Sequence, residues 1–241
     1  MPIYNIADLN ILINPQSEEI KKRISPYITN SDSFDFEVKI SQSEIEDFIA
    51  NSKESCSHFA AESTLILTQI CNRILENYDG FFFHSSSLML DNKGYVFTAV
   101  SGTGKSTHTA LWRKLFKEKV VMINDDKPII RKKDGVFYVY GTPWMGKSDI
   151  GNNVKAPVKA VYILQRGEEN SAVRVKTGEV FRNILEATVV PTDRKNMEKL
   201  LELLDEFFSS VLLFRLTCNT DIEAAQIAYD ASQNIQATLK E

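Results

Sequence analysis

The segment Ser101-Gly-Thr-Gly-Lys-Ser-Thr107 constrains the fold of this chain more than any other stretch of its sequence. It lies between a predicted strand, residues 94–100, and a predicted helix, residues 107–116. Small residues let backbone N–H groups turn toward phosphate oxygens, and the N-terminus of the following helix carries partial positive charge. The pattern therefore predicts a nucleotide phosphate site in which Lys105 reaches the β- and γ-phosphates and the Ser106 hydroxyl holds Mg²⁺. The predicted cradle comprises Ser101, Gly102, Thr103, Gly104, Lys105, Ser106 and Thr107.

This segment departs at one position from the strict pattern G-x-x-x-x-G-K-[ST]. The first glycine would fall at residue 99, where this chain has Ala99, and alanine is small enough for the loop to keep its path. The alternative interpretation is a glycine-rich turn without a ligand. Gly-Lys-Ser-Thr between a strand and a helix is specific enough to favour phosphate binding.

Two adjacent carboxylates, Asp125 and Asp126, follow the short apolar run Val120-Val-Met-Ile123. Such a pair at the end of a buried strand is typical of the acidic residues that hold Mg²⁺ beside a phosphate loop. One carboxylate would bind the metal, directly or through water, and the other would accept a hydroxyl proton during phosphoryl transfer. The alternative is an Asp-rich turn that opens the Lys127-Pro128 segment.

Histidines, arginines and one irregular loop supply further candidates. His84 lies in Phe81-Phe-Phe-His-Ser-Ser-Ser87, on a strand predicted over residues 81–90; taken alone, a buried histidine there is more often structural than catalytic. We interpret His58 and His108 as structural.

In Gly141-Thr-Pro-Trp-Met-Gly-Lys147, Trp144 either stacks on a substrate or packs, and Lys147 is a candidate phosphate contact. Candidates for cancelling charge in a phosphoryl transition state are Arg166, Arg182 and Arg194.

The composition is that of a globular protein with one to two domains. Hydrophobic residues make up 43% of the 241 residues, and the formal charge of −4 argues against nucleic acid or an anionic membrane as a partner. No apolar run approaches the ~20 residues that a membrane-spanning helix needs, and the N-terminus lacks the pattern of a secretory signal. Cys56, Cys71 and Cys218 are odd in number and widely spaced, which predicts reduced thiols in a cytoplasmic protein.

We predict two regions: a small N-terminal α+β module over residues 1–50 and an α/β catalytic domain over residues 51–241. Asp134-Gly135 predicts a β-hairpin, so the sheet of the second region must be mixed rather than all parallel. A second turn, Asp91-Asn-Lys-Gly94, is expected to place Gly94 at positive φ.

Residues 79–241 resemble, in the order of their elements, the C-terminal catalytic domain of HPr kinase/phosphorylase, which shares its nucleotide fold with phosphoenolpyruvate carboxykinase. In that family a histidine-bearing strand precedes the phosphate loop, and a later strand ends in a double aspartate. Here His84 precedes Lys105 by 21 residues and Asp126 follows it by 21 residues. The resemblance is specific over residues 83–126.

The resemblance implies an α/β fold, a P-loop core of the HPr-kinase type with a mixed sheet. It implies Lys105 on the phosphates, Ser106 and Asp125 at Mg²⁺, Asp126 as the base that takes the hydroxyl proton and His84 close to the γ-phosphate. Arg194, in Val190-Pro-Thr-Asp-Arg-Lys-Asn196, is similar to an arginine late in the family.

One segment departs from the family. In the family, the metal-binding glutamate lies in a Glu-Ile-Arg-Gly segment. This chain has Gly141-Thr-Pro-Trp in that region. In this the chain resembles stand-alone HPr-kinase-like proteins, some of which phosphorylate a serine on a precursor peptide. Whether HPr itself is the acceptor, and whether the reverse reaction occurs, stays open.

These features together predict a kinase that uses ATP and Mg²⁺ to phosphorylate a hydroxyl, with serine or threonine favoured, of a peptide, a protein or a small molecule. Members of the family are often oligomeric, so a homo-oligomer is compatible with the resemblance. Two alternatives remain: a non-catalytic nucleotide-binding regulatory protein, and a phosphorylase or carboxykinase-like phosphoryl transferase.

Overall fold

The computed structural model describes residues 2–234. The chain divides into two compact units, the first ending at Tyr78 and the second beginning at Asp79. We predicted a boundary at residue 50 from the polar stretch that follows it. In the structure that stretch is only a connection between two helices that pack on each other, so both helices fall in the first unit.

The first unit is a small sheet with three helices. Its strands are β1 (Ile3–Ile6), β2 (Leu9–Ile13), β3 (Ile28–Thr29) and β4 (Phe36–Val38), and its helices are α1 (Glu18–Ile24), α2 (Gln42–Ala50) and α3 (His58–Asn77). The strand order is β3-β1-β2-β4, with β2 and β4 parallel and the other pairs antiparallel. Ser41 and Glu44 form a capping box at α2, and the Ser57 hydroxyl caps α3.

The second unit contains the remaining elements. Its strands are β5 (Gly80–Phe82), β6 (Ser86–Leu90), β7 (Lys93–Thr98), β8 (Val121–Asn124), β9 (Ile129–Lys133), β10 (Val136–Tyr140), β11 (Lys155–Arg166), β12 (Ser171–Arg174) and β13 (Leu212–Cys218). Its helices are α4 (Lys105–Phe116), α5 (Thr177–Glu186), α6 (Arg194–Ser210) and α7 (Glu223–Gln233). The sequence predicts a last helix over residues 221–238, and the final part of that range lies outside the described residues.

These strands form one mixed sheet that branches at the long strand β11. The first residues of β11 pair with β10, and its later residues lie between β7 and β13, parallel to both. On the far side of β7 come β6 and then β8. Antiparallel pairing of β9 with β10 across Asp134 and Gly135 confirms the predicted hairpin and the mixed sheet.

The strand directions bring several loop ends together. Because β6 is antiparallel to both β7 and β8, β8 runs in the same direction as β7, β11 and β13. The carboxyl ends of these four strands and the start of β6 therefore lie at one edge of the sheet. Such an edge is where open α/β sheets bind their ligands.

Helices pack against the sheet in two places. On one face α4 and α7 bury Trp112 among Tyr95, Phe97 and the alanines of α7. Elsewhere on the sheet α6 packs Phe207 against Phe81 and Phe137. Within residues 2–234, none of the helices has the length and apolar character needed to cross a membrane.

Two local predictions were wrong. Residues 81–90 do not form one strand, since β5 pairs with β9 while β6 pairs with β7 and β8. Gly94 does not adopt positive φ; Asp91 and Asn92 take the left-handed conformation of that turn. A glycine is favoured at residue 94 for another reason, because a Cβ there would lie 2.7 Å from Val139 Cγ1 on the sheet.

Candidate functional site

The loop between β7 and α4, residues 99–104, is here called the glycine loop. Gly102 and Gly104 have φ of 80° and 122°, in the region that side chains disfavour, which explains why both are glycine. Ala99 is not among the residues with positive φ, so the alanine that breaks the strict sequence pattern causes no backbone strain. The helix begins directly after Gly104, at Lys105, and its first-turn amides have no acceptor within the helix.

Arg166 at the end of β11 supports the glycine loop from the neighbouring strand. Its Nη2 donates to the Gly102 carbonyl at 2.6 Å and its Nε donates to the Thr103 carbonyl at 3.2 Å. These bonds orient two consecutive peptide groups immediately before the helix. We considered Arg166 as a charge-cancelling residue, and the structure places its guanidinium on the loop backbone.

Lys105 is almost buried, with 8% of its surface exposed. Its Nζ donates to the Ala99 carbonyl at 3.2 Å, across the glycine loop. Burial lowers the pKa of this ammonium, and the charges of Asp126 and Asp125 oppose that shift. The lysine therefore contacts the loop backbone and is influenced by the charges of the two carboxylates that the sequence singled out.

Asp125 follows β8 and is 6% exposed. The Ser86 hydroxyl donates to Asp125 Oδ1 at 2.5 Å, and the hydroxyls of Ser86 and Thr109 lie 3.0 Å apart. Thr109 has one hydroxyl proton and two acceptors in reach, the Ser86 hydroxyl and the Ser106 carbonyl at 3.2 Å. This chain of hydroxyls ties the carboxylate to the first turns of α4, and sequence reasoning did not identify Ser86 or Thr109.

The Asp126 carboxylate contacts the imidazole of His84 and the side-chain nitrogen of Lys127. His84 Nε2 lies 3.1 Å from Asp126 Oδ1, and Lys127 Nζ donates to Oδ2 at 2.8 Å. Burial alone would raise the pKa of this carboxyl, but the hydrogen bonds from His84 and Lys127 outweigh it and lower the pKa to about 2. Asp126 is thus ionised at neutral pH.

His84 reaches Asp126 because the chain leaves the sheet between β5 and β6. The backbone N–H of His84 donates to the Ala187 carbonyl at 2.6 Å, and that of Ser85 donates to the Asp126 carbonyl at 3.2 Å. These two hydrogen bonds hold the backbone of His84 on both sides of its Cα. The break in the predicted strand is therefore what positions the histidine.

A buried polar network fixes the turn that carries both carboxylates. Asn124 Nδ2 donates to the Thr142 carbonyl at 2.9 Å, and Asn124 Oδ1 accepts from the backbone N–H of Asp126 and Lys127. The Thr142 hydroxyl donates to the Lys127 carbonyl at 2.6 Å. The sequence singles out the segment Gly141-Thr-Pro-Trp144, but it does not indicate that Asn124 is the residue that binds Thr142.

The chemistry of two side chains fits a magnesium ion. Mg²⁺ is commonly held by one or two protein oxygens together with waters and substrate phosphates. The Ser106 hydroxyl, exposed in the first turn of α4, and the Asp125 carboxylate offer oxygens of that kind. Within residues 2–234, no group of three or more His, Cys, Asp and Glu side chains is arranged to hold a metal.

Other candidates lie apart from this cluster. Arg194 and Arg182 are highly exposed and form ion pairs with Glu198 and Glu186 of their own helices. No contact of Arg194 with the glycine loop is seen among the described residues. Trp144 is 3% exposed, so it packs within the protein.

Comparisons with known proteins add little. No family model matches the chain, and no curated protein matches its sequence. Among solved structures, the HPr(Ser) kinase/phosphatase from Coxiella burnetii matches with a TM-score of 0.36 and 10% identity, over 63% of this chain and 96% of that one. A likeness this distant carries no information about the reaction.

Proposed function

We propose that this chain is a phosphotransferase of the kinase type, which transfers the γ-phosphoryl group of ATP to a hydroxyl in the presence of Mg²⁺. One observation carries the proposal. The nearly buried Lys105 contacts a glycine loop at a helix N-terminus and is influenced by the charges of two carboxylates, one of which contacts a histidine. Phosphoryl transfer needs this combination of positive charge around the phosphates and a proton acceptor beside them.

On the donor side, the first-turn amides of α4 and the Lys105 ammonium would bind the phosphates. Arg166 restrains the glycine loop through its bonds to the Gly102 and Thr103 carbonyls. Ser106 and Asp125 would hold Mg²⁺, and the bound ion would neutralise phosphate charge. Ser86 keeps the Asp125 carboxylate oriented.

On the acceptor side, Asp126 would orient the incoming hydroxyl and take its proton. Each oxygen of this carboxylate accepts one hydrogen bond, from His84 or from Lys127. A carboxylate oxygen has two lone pairs, so either oxygen can accept a further hydrogen bond from a hydroxyl. A loose phosphoryl-transfer transition state demands little basicity from the proton acceptor, and an ionised Asp126 meets that demand. The hydroxyl we favour is that of a serine or threonine in a peptide or protein.

The test is transfer of labelled γ-phosphate from Mg²⁺·ATP into a lysate of the source organism. We expect Asp126→Asn to lower the labelling rate by roughly 10²–10⁴-fold, the size of a lost general base, while ATP affinity stays within about threefold. Lys105→Ala should weaken ATP binding itself. Asp205→Asn, an equally conservative change on the exposed face of α6, is the matched control.

The opposite result is also defined. If the wild-type protein binds ATP through Lys105 but neither labels an acceptor nor hydrolyses ATP, the kinase assignment is wrong. The chain would then be a nucleotide-binding regulatory protein.

A further inference from the structure

Arg215 in β13 is a partly exposed cation without a partner. Its guanidinium makes no hydrogen bond, ion pair or ring contact with any residue in the range 2–234. The residues on either side of it in the strand, Phe214 and Leu216, belong to the core that α4 and α7 cover. Because side chains alternate along a strand, Arg215 points to the opposite face of the sheet from α4.

On that face Arg215 lines a cavity of about 510 Å³. The cavity is bounded by Val100 and Ser101 of the glycine loop, by the end of β11 and by Asn183 of α5. Arg166 also lines it, but its guanidinium is already bonded to two loop carbonyls. No Asp or Glu is among the described residues that line the cavity. A guanidinium binds a carboxylate through two parallel N–H donors, so this cavity favours an anionic group.

Helix α5 connects the cavity with the Asp126–His84 pair. Asn183 lines the cavity, and Ala187 follows it by about one helical turn, or 5.4 Å. The Ala187 carbonyl accepts the backbone N–H of His84 at 2.6 Å, and His84 contacts Asp126. The cavity therefore lies close to the carboxylate that we propose as the proton acceptor.

The donor nucleotide is expected on the other face. The first-turn amides that would bind its phosphates belong to α4, whereas Arg215 and α5 lie across the sheet. In phosphoryl transfer the attacking and leaving oxygens are roughly in line, so the acceptor approaches from a different side than the nucleotide. The face that carries α5 is the one that remains for the acceptor.

We propose that this cavity binds an acidic residue of a peptide or protein acceptor, a Glu or Asp close in sequence to the phosphorylated serine or threonine, through Arg215. The inference rests on the proposed function and adds a sequence requirement to its acceptor.

The strand order sets the distance between the two residues of the acceptor. Four strand spacings, about 19 Å, separate β13 from β8. About six extended residues span that distance, whereas a small metabolite does not. The arginine side chain covers part of the distance, so the acidic residue should lie within about five residues of the hydroxyl.

Peptides with a central serine test the assignment on the full chain with Mg²⁺·ATP, each other position being glutamate, alanine or lysine in turn. At one position within about five residues of the serine, wild type should prefer glutamate over alanine by about tenfold in kcat/KM, the effect of one charged hydrogen bond. Arg215→Gln should reduce this preference below about twofold and leave the rate with the alanine peptide unchanged. Arg113→Gln, on the exposed face of α4, is the matched control.

A charge reversal separates recognition from a structural role. Arg215→Glu should prefer lysine over glutamate at the same peptide position, an inversion that loss of folding or of packing would not produce. A wild-type protein without a preference at any position would overturn the proposal. So would a folded Arg215→Gln variant that keeps the preference for glutamate.

Peptide binding distinguishes failure of this proposal from failure of the proposed function. The same peptides with alanine in place of the central serine should bind wild type about tenfold more tightly than Arg215→Gln when they carry the glutamate, as measured by fluorescence anisotropy. Binding through Arg215 without any phosphoryl transfer would support the peptide site and contradict the kinase assignment. Labelling of a small molecule in the lysate, with no peptide bound, would contradict the peptide site and support the kinase assignment.

Discussion

Asp126 contacts His84 through one oxygen and Lys127 through the other. Both contacts favour the ionised form strongly enough to overcome burial, so the pKa falls to about 2. A carboxyl whose pKa is lowered keeps its charge, and the stability that this charge contributes, at every pH above its ordinary range. The charge of Asp126 and its contribution to stability are lost only as the pH falls below that range toward 2.

This gives a pH prediction for Lys127→Met. Removing the ammonium deletes one hydrogen bond and one positive charge, so the pKa of Asp126 should rise toward its ordinary value. The acid limb of kcat/KM for phosphoryl transfer should move to higher pH, while the rate at pH 7 changes little. Lys114→Met on the exposed face of α4 is the control. An unchanged acid limb would show that Asp126 does not titrate in the reaction.

His108 predicts a pH dependence of stability. Burial lowers its pKa from 6.5 to about 4, so between these values the unfolded chain binds more protons than the folded chain. The free energy of unfolding should therefore decrease by about 3 kcal/mol between pH 7 and pH 4 from this residue alone. In urea unfolding, the free energy of unfolding of His108→Gln should not show this decrease with falling pH, whereas that of His58→Gln should still show it.

At the scale of elements, the segment from residue 141 to residue 151 acts as a brace for the end of β8. A Cβ at Gly141 would overlap the Asn152 carbonyl, and Gly151 forms an isolated bridge with Asn124. Asn152 N–H donates to the Ile123 carbonyl at 3.0 Å. The brace holds the turn that carries Asp125 and Asp126 through backbone contacts that leave no room for side chains at Gly141 and Gly151.

A pair of glycine substitutions tests this brace. Gly146 and Gly135 both have positive φ, but only at Gly146 would a Cβ approach Asp126, to 2.8 Å from its Cβ. Each change to alanine should lower stability by about 1 kcal/mol through the backbone. Only Gly146→Ala should lower the transfer rate, by tenfold or more. Equal rates for the two variants would mean that the position of Asp126 is not critical.

At the scale of the whole molecule, every residue of the proposed site belongs to the unit that begins at Asp79. The glycine loop follows β7, and the turn that carries Asp125 and Asp126 follows β8, a strand of the same sheet. The unit that ends at Tyr78 has its own sheet and its own buried residues.

We therefore expect a fragment of residues 79–241 to bind ATP with a Kd within about threefold of that of the full chain. Equilibrium dialysis with labelled ATP, after circular dichroism has shown that the fragment is folded, measures this. A folded fragment that does not bind ATP would show that the first unit contributes to the nucleotide site. Lys105→Ala in the same fragment is the control for specific binding.

Local features of this protein could be predicted from its amino-acid sequence alone. The glycine loop, its lysine and the following helix are adjacent in the chain, so residue type and spacing were enough to predict them. The same holds for Asp125-Asp126 after an apolar run and for the Asp134-Gly135 hairpin, where two residues with positive φ connect paired strands.

Contacts between residues far apart in the chain could not be predicted in this way and are seen only in the folded protein. His84 meets Asp126 because the backbone around it bonds to Ala187 and Asp126 instead of continuing a strand. Asn124 finds Thr142, and Arg166 finds the glycine loop, because sheet order makes them neighbours. Periodicity and turn chemistry carry no information about which strand lies next to which, and pairing of distant strands is decided by the packing of the whole sheet.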